Sequence, residues 1–107
     1  MQPPKVCVVI PAYNEGKAIG RVLTKAVSAG LDIIVIDDGS SDDTAAVARQ
    51  FDVHLIVHET NQGKGVAIRT SIAWALEENY DAALFMDADG QHDPKEIPRF
   101  SECYAAT

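Results

Sequence analysis

The chain has 107 residues, 47% of them apolar and 23% charged, the makeup of one small globular domain with room for a single core. Sixteen acidic residues against nine basic ones give a formal charge of −7, which argues against a nucleic-acid partner, because a phosphate backbone requires clustered Lys and Arg. No stretch approaches the ~20 apolar residues of a membrane span, and the first residues carry no long apolar run.

Lys5 to Ile10 is a continuous apolar, β-branched run and predicts a strand buried on both faces, stopped by Pro11. Cys7 lies inside it, so a buried free thiol is expected rather than a disulfide to Cys103, and a reducing compartment fits. Ala12 to Gly16 form a loop. From Lys17 to Ser28, the residues Ile19, Val22, Leu23, Ala26 and Val27 recur on one helical face, with Gly30 placed as the left-handed residue beyond the helix end. Asp32 to Ile36 is a second buried strand. It runs into Asp37-Asp38-Gly39-Ser40-Ser41-Asp42-Asp43-Thr44, where Ser40 or Ser41 can cap a helix carrying Ala45, Val47, Ala48 and Phe51, with Asp42 and Asp43 in its first turn.

Val53 to Val57 predicts a short third strand, with His54 and His58 at its flanks. After the loop Thr60 to Gly65 a longer helix is expected to about Asn79, with Ile68, Ile72, Ala75 and Leu76 facing inward and Trp74 at the border. Ala82 to Asp87 is the fourth strand. Asp93 and Glu96 have capping-box spacing, and a turn from Pro94 leads to a helix near Pro98 with Ile97, Phe100 and Tyr104 on its apolar face. The order β-α-β-α-β-α-β-α predicts a three-layer α/β/α fold: a parallel, doubly wound sheet in strand order 3-2-1-4 with helices on both faces.

Ligands of such sheets bind outside the carboxyl ends of the strands. The chemically unusual residues of this chain lie there: Tyr13-Asn14-Glu15 after strand one, Asp37-Asp38 after strand two and Asp87-Ala88-Asp89 after strand four. Side chains at i and i+2 of a strand share a face, so Asp87 and Asp89 can point the same way. Two aligned carboxylates repel unless a cation lies between them, and hard divalent ions such as Mg2+ or Mn2+ accept that oxygen set. A dinucleotide-binding fold would need G-x-G-x-x-G directly after strand one, where this chain has Pro11-Ala12-Tyr13-Asn14-Glu15. A phospho-receiver would need a phospho-acceptor Asp at a central strand end and a lysine after a fifth strand, and neither is expected in this sequence.

Three loops together, Pro11 to Glu15, Asp37 to Thr44 and Asp87 to Pro94, resemble at these separations the family 2 glycosyltransferases of the GT-A fold, most of all the dolichyl- and polyprenyl-phosphate sugar transferases. The resemblance runs from Val6 to Phe100. It implies a nucleotide-diphospho-sugar donor, GDP-mannose or a UDP-hexose, and a divalent metal, with transfer to a lipid-phosphate acceptor at the cytoplasmic membrane face. Pro11, Ala12, Tyr13 and Glu15 would line the base and ribose pocket, and Asp38 would accept from donor groups of base or ribose. Asp37 would be structural. Asp87, Ala88 and Asp89 match the Asp-x-Asp motif, with Asp89 the stronger direct metal ligand and Gln91 a further oxygen ligand.

Asn61-Gln62-Gly63-Lys64-Gly65 admits two readings, a plain turn before a helix or a backbone and Lys64 cradle for the diphosphate. Arg69 is the better candidate for a charge aimed at the site, against the default of a solvated side chain. The family's inverting mechanism takes its base from a second half of the domain, which also carries the acceptor site. Residues 1–107 therefore correspond to the donor half: a transferase part expected to be inactive alone and to self-associate through its unpaired sheet edge. The alternative is a nucleotide-sugar-binding or regulatory module without turnover.

Overall fold

The structure, a computed structural model, describes residues 4–88. Its elements are β1 (Val6–Ala12), α1 (Gly16–Ser28), β2 (Asp32–Asp37), α2 (Thr44–Ala48), β3 (His54–Val57), α3 (Lys64–Glu77) and β4 (Ala82–Phe85). All strand pairs are parallel and the order is β3-β2-β1-β4, as the alternation of elements predicts.

Strand alternation divides the core in two. Val8, Ile10, Ala12, Ile33 and Val35 point to one face, where Ile19, Val22, Leu23 and Ala26 of α1 and Ala48 of α2 cover them. Cys7, Val9, Ile34 and Ile36 point to the other, under Ala67 and Ala75 of α3. All nine of these strand side chains are shielded from water, which is why β1 and β2 read as unbroken apolar runs. Burial pushes the Cys7 thiol up to about 11, so it stays neutral, and it is unbonded to any other cysteine, as expected of an apolar strand position. Cys103 lies outside the described residues.

Four sequence expectations are corrected. Pro11 does not stop β1: the strand pairs with β2 through Pro11 and Ala12. The Val9 carbonyl accepts from the Met86 amide on the β4 side and the Ala12 carbonyl accepts from Asp38 on the β2 side. Pro11, two residues beyond Val9, thus turns its missing N–H toward β4, whose ladder has already ended at the Val9–Phe85 pair.

The second correction is the cap of α2. The helix starts at Thr44, with Asp43 at the N-cap and no side-chain cap bond, and it ends at Ala48, before Phe51. Ser40 and Ser41 bond Asn14 instead. The third is that β4 ends at Phe85, so Met86 and Asp87 lie beyond the ladder. The expected turn and helix from Asp93 onward lie outside the described residues.

The last correction concerns α3. Its buried residues are Ala67, Ser71 and Ala75, whereas Ile72 is 43% and Leu76 69% exposed. Ala75 faces inward as expected, but the rest of the stripe is rotated by about one residue. Small side chains at i, i+4 and i+8 let the helix lie close to the sheet, and Ser71 satisfies its hydroxyl on the Ile68 carbonyl at 2.7 Å. Trp74 packs at the border, 4.8 Å from His54 and 5.3 Å from Tyr80 by ring centroids. No helix among the described residues is long and apolar enough to cross a membrane.

Candidate functional site

Three loops meet at the carboxyl ends of the strands, and hydrogen bonds join them. Asn14, in the left-handed region at φ 52°, accepts the Ser41 amide on Oδ1 at 2.8 Å and donates its own amide to Ser40 Oγ at 2.8 Å. The Glu15 amide donates to Thr44 Oγ1 at 3.0 Å, and the Gly16 amide to Asp42 Oδ2 at 3.1 Å. The hydroxyl and amide of Thr44 also donate to Asp42, and these bonds, working against desolvation, hold the Asp42 carboxyl below the usual carboxylate range.

Asp37 and Asp38 are neighbours with different work. Asp37 is buried and takes the Ser40 amide on Oδ1 at 3.0 Å, closing its own loop as expected of a structural residue. Gly39 follows at φ +75°, and a Cβ there would lie 2.4 Å from the Asn61 nitrogen and the Thr60 carbonyl carbon, so the close approach of the next loop requires glycine. Asp38, 4% exposed, receives three donors: His58 Nδ1 at 2.9 Å and the Gln62 amide at 2.9 Å on Oδ1, and the Gly63 amide at 2.8 Å on Oδ2. Burial opposes its ionisation, but the bonds from His58, Gln62 and Gly63 together outweigh burial and lower its pKa.

These loops enclose a cleft of about 370 Å³. Pro11, Ala12, Tyr13, Glu15, Asp38, Lys64, Asp87 and Ala88, all expected at the site, line it. Lys64 Nζ stands 3.6 Å from Asp87 Oδ1 across the opening. Arg69 does not line the cleft. At 100° per residue it sits about 200° around α3 from Ala67, which does, and its side chain is exposed. Asp89 and Gln91 lie outside the described residues, and among the described residues no group of three His, Cys, Asp or Glu converges to hold a metal.

Sequence reasoning named Asn61 only within the loop Asn61 to Gly65, read two ways, and gave no site role to Ala67 or His58. Asn61 and Ala67 line the cleft. His58, read as a strand flank, is buried against Asp38 and Thr70. The available signal was its place directly after β3, at the same end of the sheet as the acidic loops. Chemically, the cleft offers a buried ionised acceptor, a second carboxylate with a lysine beside it, and an exposed tyrosine on the rim.

The family model for Glycosyl transferase family 2 matches residues 7–104. The undecaprenyl-phosphate mannosyltransferase of Micrococcus luteus is 35% identical over 105 residues, covering 92% of this chain and 43% of that protein. The UDP-N-acetylglucosamine–dolichyl-phosphate N-acetylglucosaminyltransferase of Methanococcus voltae is 35% identical over 112 residues, covering 88% of this chain and 45% of its own. Among solved structures, glucosyl-3-phosphoglycerate synthase of Mycobacterium tuberculosis with Mn2+ and UDP-glucose superposes with a TM-score of 0.78 at 28% identity, over 92% of this chain and 38% of that one. The chain thus spans less than half the length of these relatives. With the 3-2-1-4 parallel sheet, the matched family model and these relatives in agreement, the chain belongs to glycosyl transferase family 2 and has the GT-A fold.

Proposed function

We propose that this chain binds a nucleotide-diphospho-sugar together with a divalent cation, as the donor-holding part of an inverting transferase whose acceptor is a polyprenyl phosphate. The observation that carries the reading is the shared cleft. Asp38 and Asp87 come from two different strand ends, and both face the same space beside Lys64. Asp38 Oδ2 has taken one amide, so a base or ribose N–H or O–H can be its next donor. Tyr13, 48% exposed on the rim, offers a ring to stack on a base. Lys64, at the start of α3 and on the cleft wall, supplies a positive charge that a diphosphate can take.

Hard-oxygen chemistry at Asp87 suits Mg2+ or Mn2+, with Asp89 and Gln91 completing the ligands that the Asp-x-Asp resemblance implies. When bound, the ion would offset the charge of the departing diphosphate. The presence of Mn2+ with UDP-glucose in a relative of the same fold supports this choice, and the named relatives support polyprenyl phosphate as acceptor class. The donor class proposed is a UDP-hexose or GDP-mannose. Because the chain spans less than half the length of these relatives, the reading assigns donor binding to it and acceptor binding to the remaining length of such a transferase.

Calorimetric titration with UDP and with GDP, each with and without Mn2+, tests this. Binding is expected only with the ion present, and Asp87→Ala is expected to weaken it about 10- to 100-fold, the loss of a charge-assisted contact. Added polyprenyl phosphate and the matching nucleotide sugar should give no lipid-linked sugar above a no-protein control. Absence of heat with both nucleotides at millimolar concentration would overturn the reading.

A further inference from the structure

Behind Asp38 lies a pair of side chains that do not themselves line the cleft. His58 Nδ1 is 2.9 Å from Asp38 Oδ1, and His58 Nε2 is 3.1 Å from Thr70 Oγ1 on α3. An ionised carboxylate can only accept, so Nδ1 is the donor to Asp38, and Nε2 lies within hydrogen-bond distance of the Thr70 hydroxyl. The His58 side chain is 10% exposed and that of Asp38 6%. The order carboxylate, imidazole, hydroxyl is that of a nucleophilic triad. Neither His58 nor Thr70 lines the cleft, however, so the hydroxyl is not presented to a substrate there.

We infer that His58 is a positioning residue for the nucleotide site: tied to α3 through Thr70, it holds Asp38 in the orientation that also fastens the Gln62–Gly63 turn, the cleft wall next to Lys64. The inference deepens the donor-binding reading and rests on it for its ligand. With His58 and the Gln62 amide both on Oδ1, the carboxylate plane is set, and Oδ2 is left toward Gly63 and the cleft. Without the ring, Asp38 keeps two backbone donors but loses its charge-assisted side-chain bond and its tie to α3, and the turn is free to shift with it. His54 serves as an internal contrast. It sits at the other end of β3, packs tilted against Trp74 and does not line the cleft.

The test uses three variants of the full chain. His58→Ala removes both bonds. His58→Asn keeps an amide N–H near the place of Nδ1, and Thr70→Val keeps the ring but removes its anchor. Amide hydrogen exchange at Gln62 and Gly63 is read in the ligand-free chain against amides of β1, and UDP affinity is read with Mn2+ present. His58→Ala should speed exchange at those two amides and weaken UDP by about tenfold, as for loss of one charge-assisted bond, while His58→Asn recovers most of both. Thr70→Val should act in the same direction, about threefold, and it decides the matter if the alanine variant does not fold. Unchanged exchange at Gln62 and Gly63, or an asparagine variant no better than alanine, overturns the inference. A parent chain that binds no nucleotide would instead overturn the donor-binding reading, and the exchange rates would still settle the role of His58 in the turn.

Discussion

The two faces of the sheet are covered by helices of opposite character. On one side α1 presents a stripe of large residues, Ile19, Val22 and Leu23, with charged and polar residues behind it. On the other side α3 presents Ala67, Ser71 and Ala75 and leaves Ile72 partly and Leu76 mostly in water. The first helix is held by the volume it buries. The second is held by how closely it approaches, and its outer apolar residues contribute little to this core. A contrast between faces makes a helix legible in sequence, whereas apolar residues around most of the circumference leave the inner face undetermined.

The largest expected effect is on the α1 side. Leu23 is fully buried, and Leu23→Ala should cost about 2 to 5 kcal/mol, the sum of lost transfer energy and the cavity left behind. Urea unfolding measures it, and a loss below about 1 kcal/mol would mean that this face is not the tightly packed one. A middle effect belongs to α3. Ala67 is 0% exposed between helix and sheet, so Ala67→Leu should destabilise by ~1 to 3 kcal/mol through overpacking, and it should weaken nucleotide binding because Ala67 also lines the cleft. A neutral or stabilising result would show slack beneath α3. The smallest effect is that of Leu76→Ala, expected within about 0.5 kcal/mol in the same assay because the side chain is already mostly solvated. A loss of 2 kcal/mol there would restore the inner face that size alone suggests and break the comparison.

Much of the site was legible for a simple reason. A parallel sheet places its strand ends together, so acids that follow separate apolar runs must gather at one edge. Pro11, Tyr13, Glu15, Asp38, Lys64 and Asp87, expected at that edge, line the cleft there. Arg69 lies off the cleft lining, because proximity in sequence to the Gly63–Lys64 turn says nothing about rotation around a helix. Ser40 and Ser41 were misassigned for a related reason: a serine before a helix is a good cap only if no better partner comes within reach, and Asn14 does.

From the sequence alone came the order of elements, the doubly buried strands, the inner face of α1 and the family resemblance, because each depends on local periodicity or on short motifs. Tertiary structure decided three further things. It let β1 continue through Pro11, since the neighbouring ladder stops first. It chose small residues as the seat of α3. It also brought His58 and Thr70 to Asp38, from 20 positions and one helix away, turning an exposed-looking carboxylate into a buried, ionised and oriented one. Those outcomes rest on contacts between residues far apart in the chain, and no periodicity within a single element encodes them.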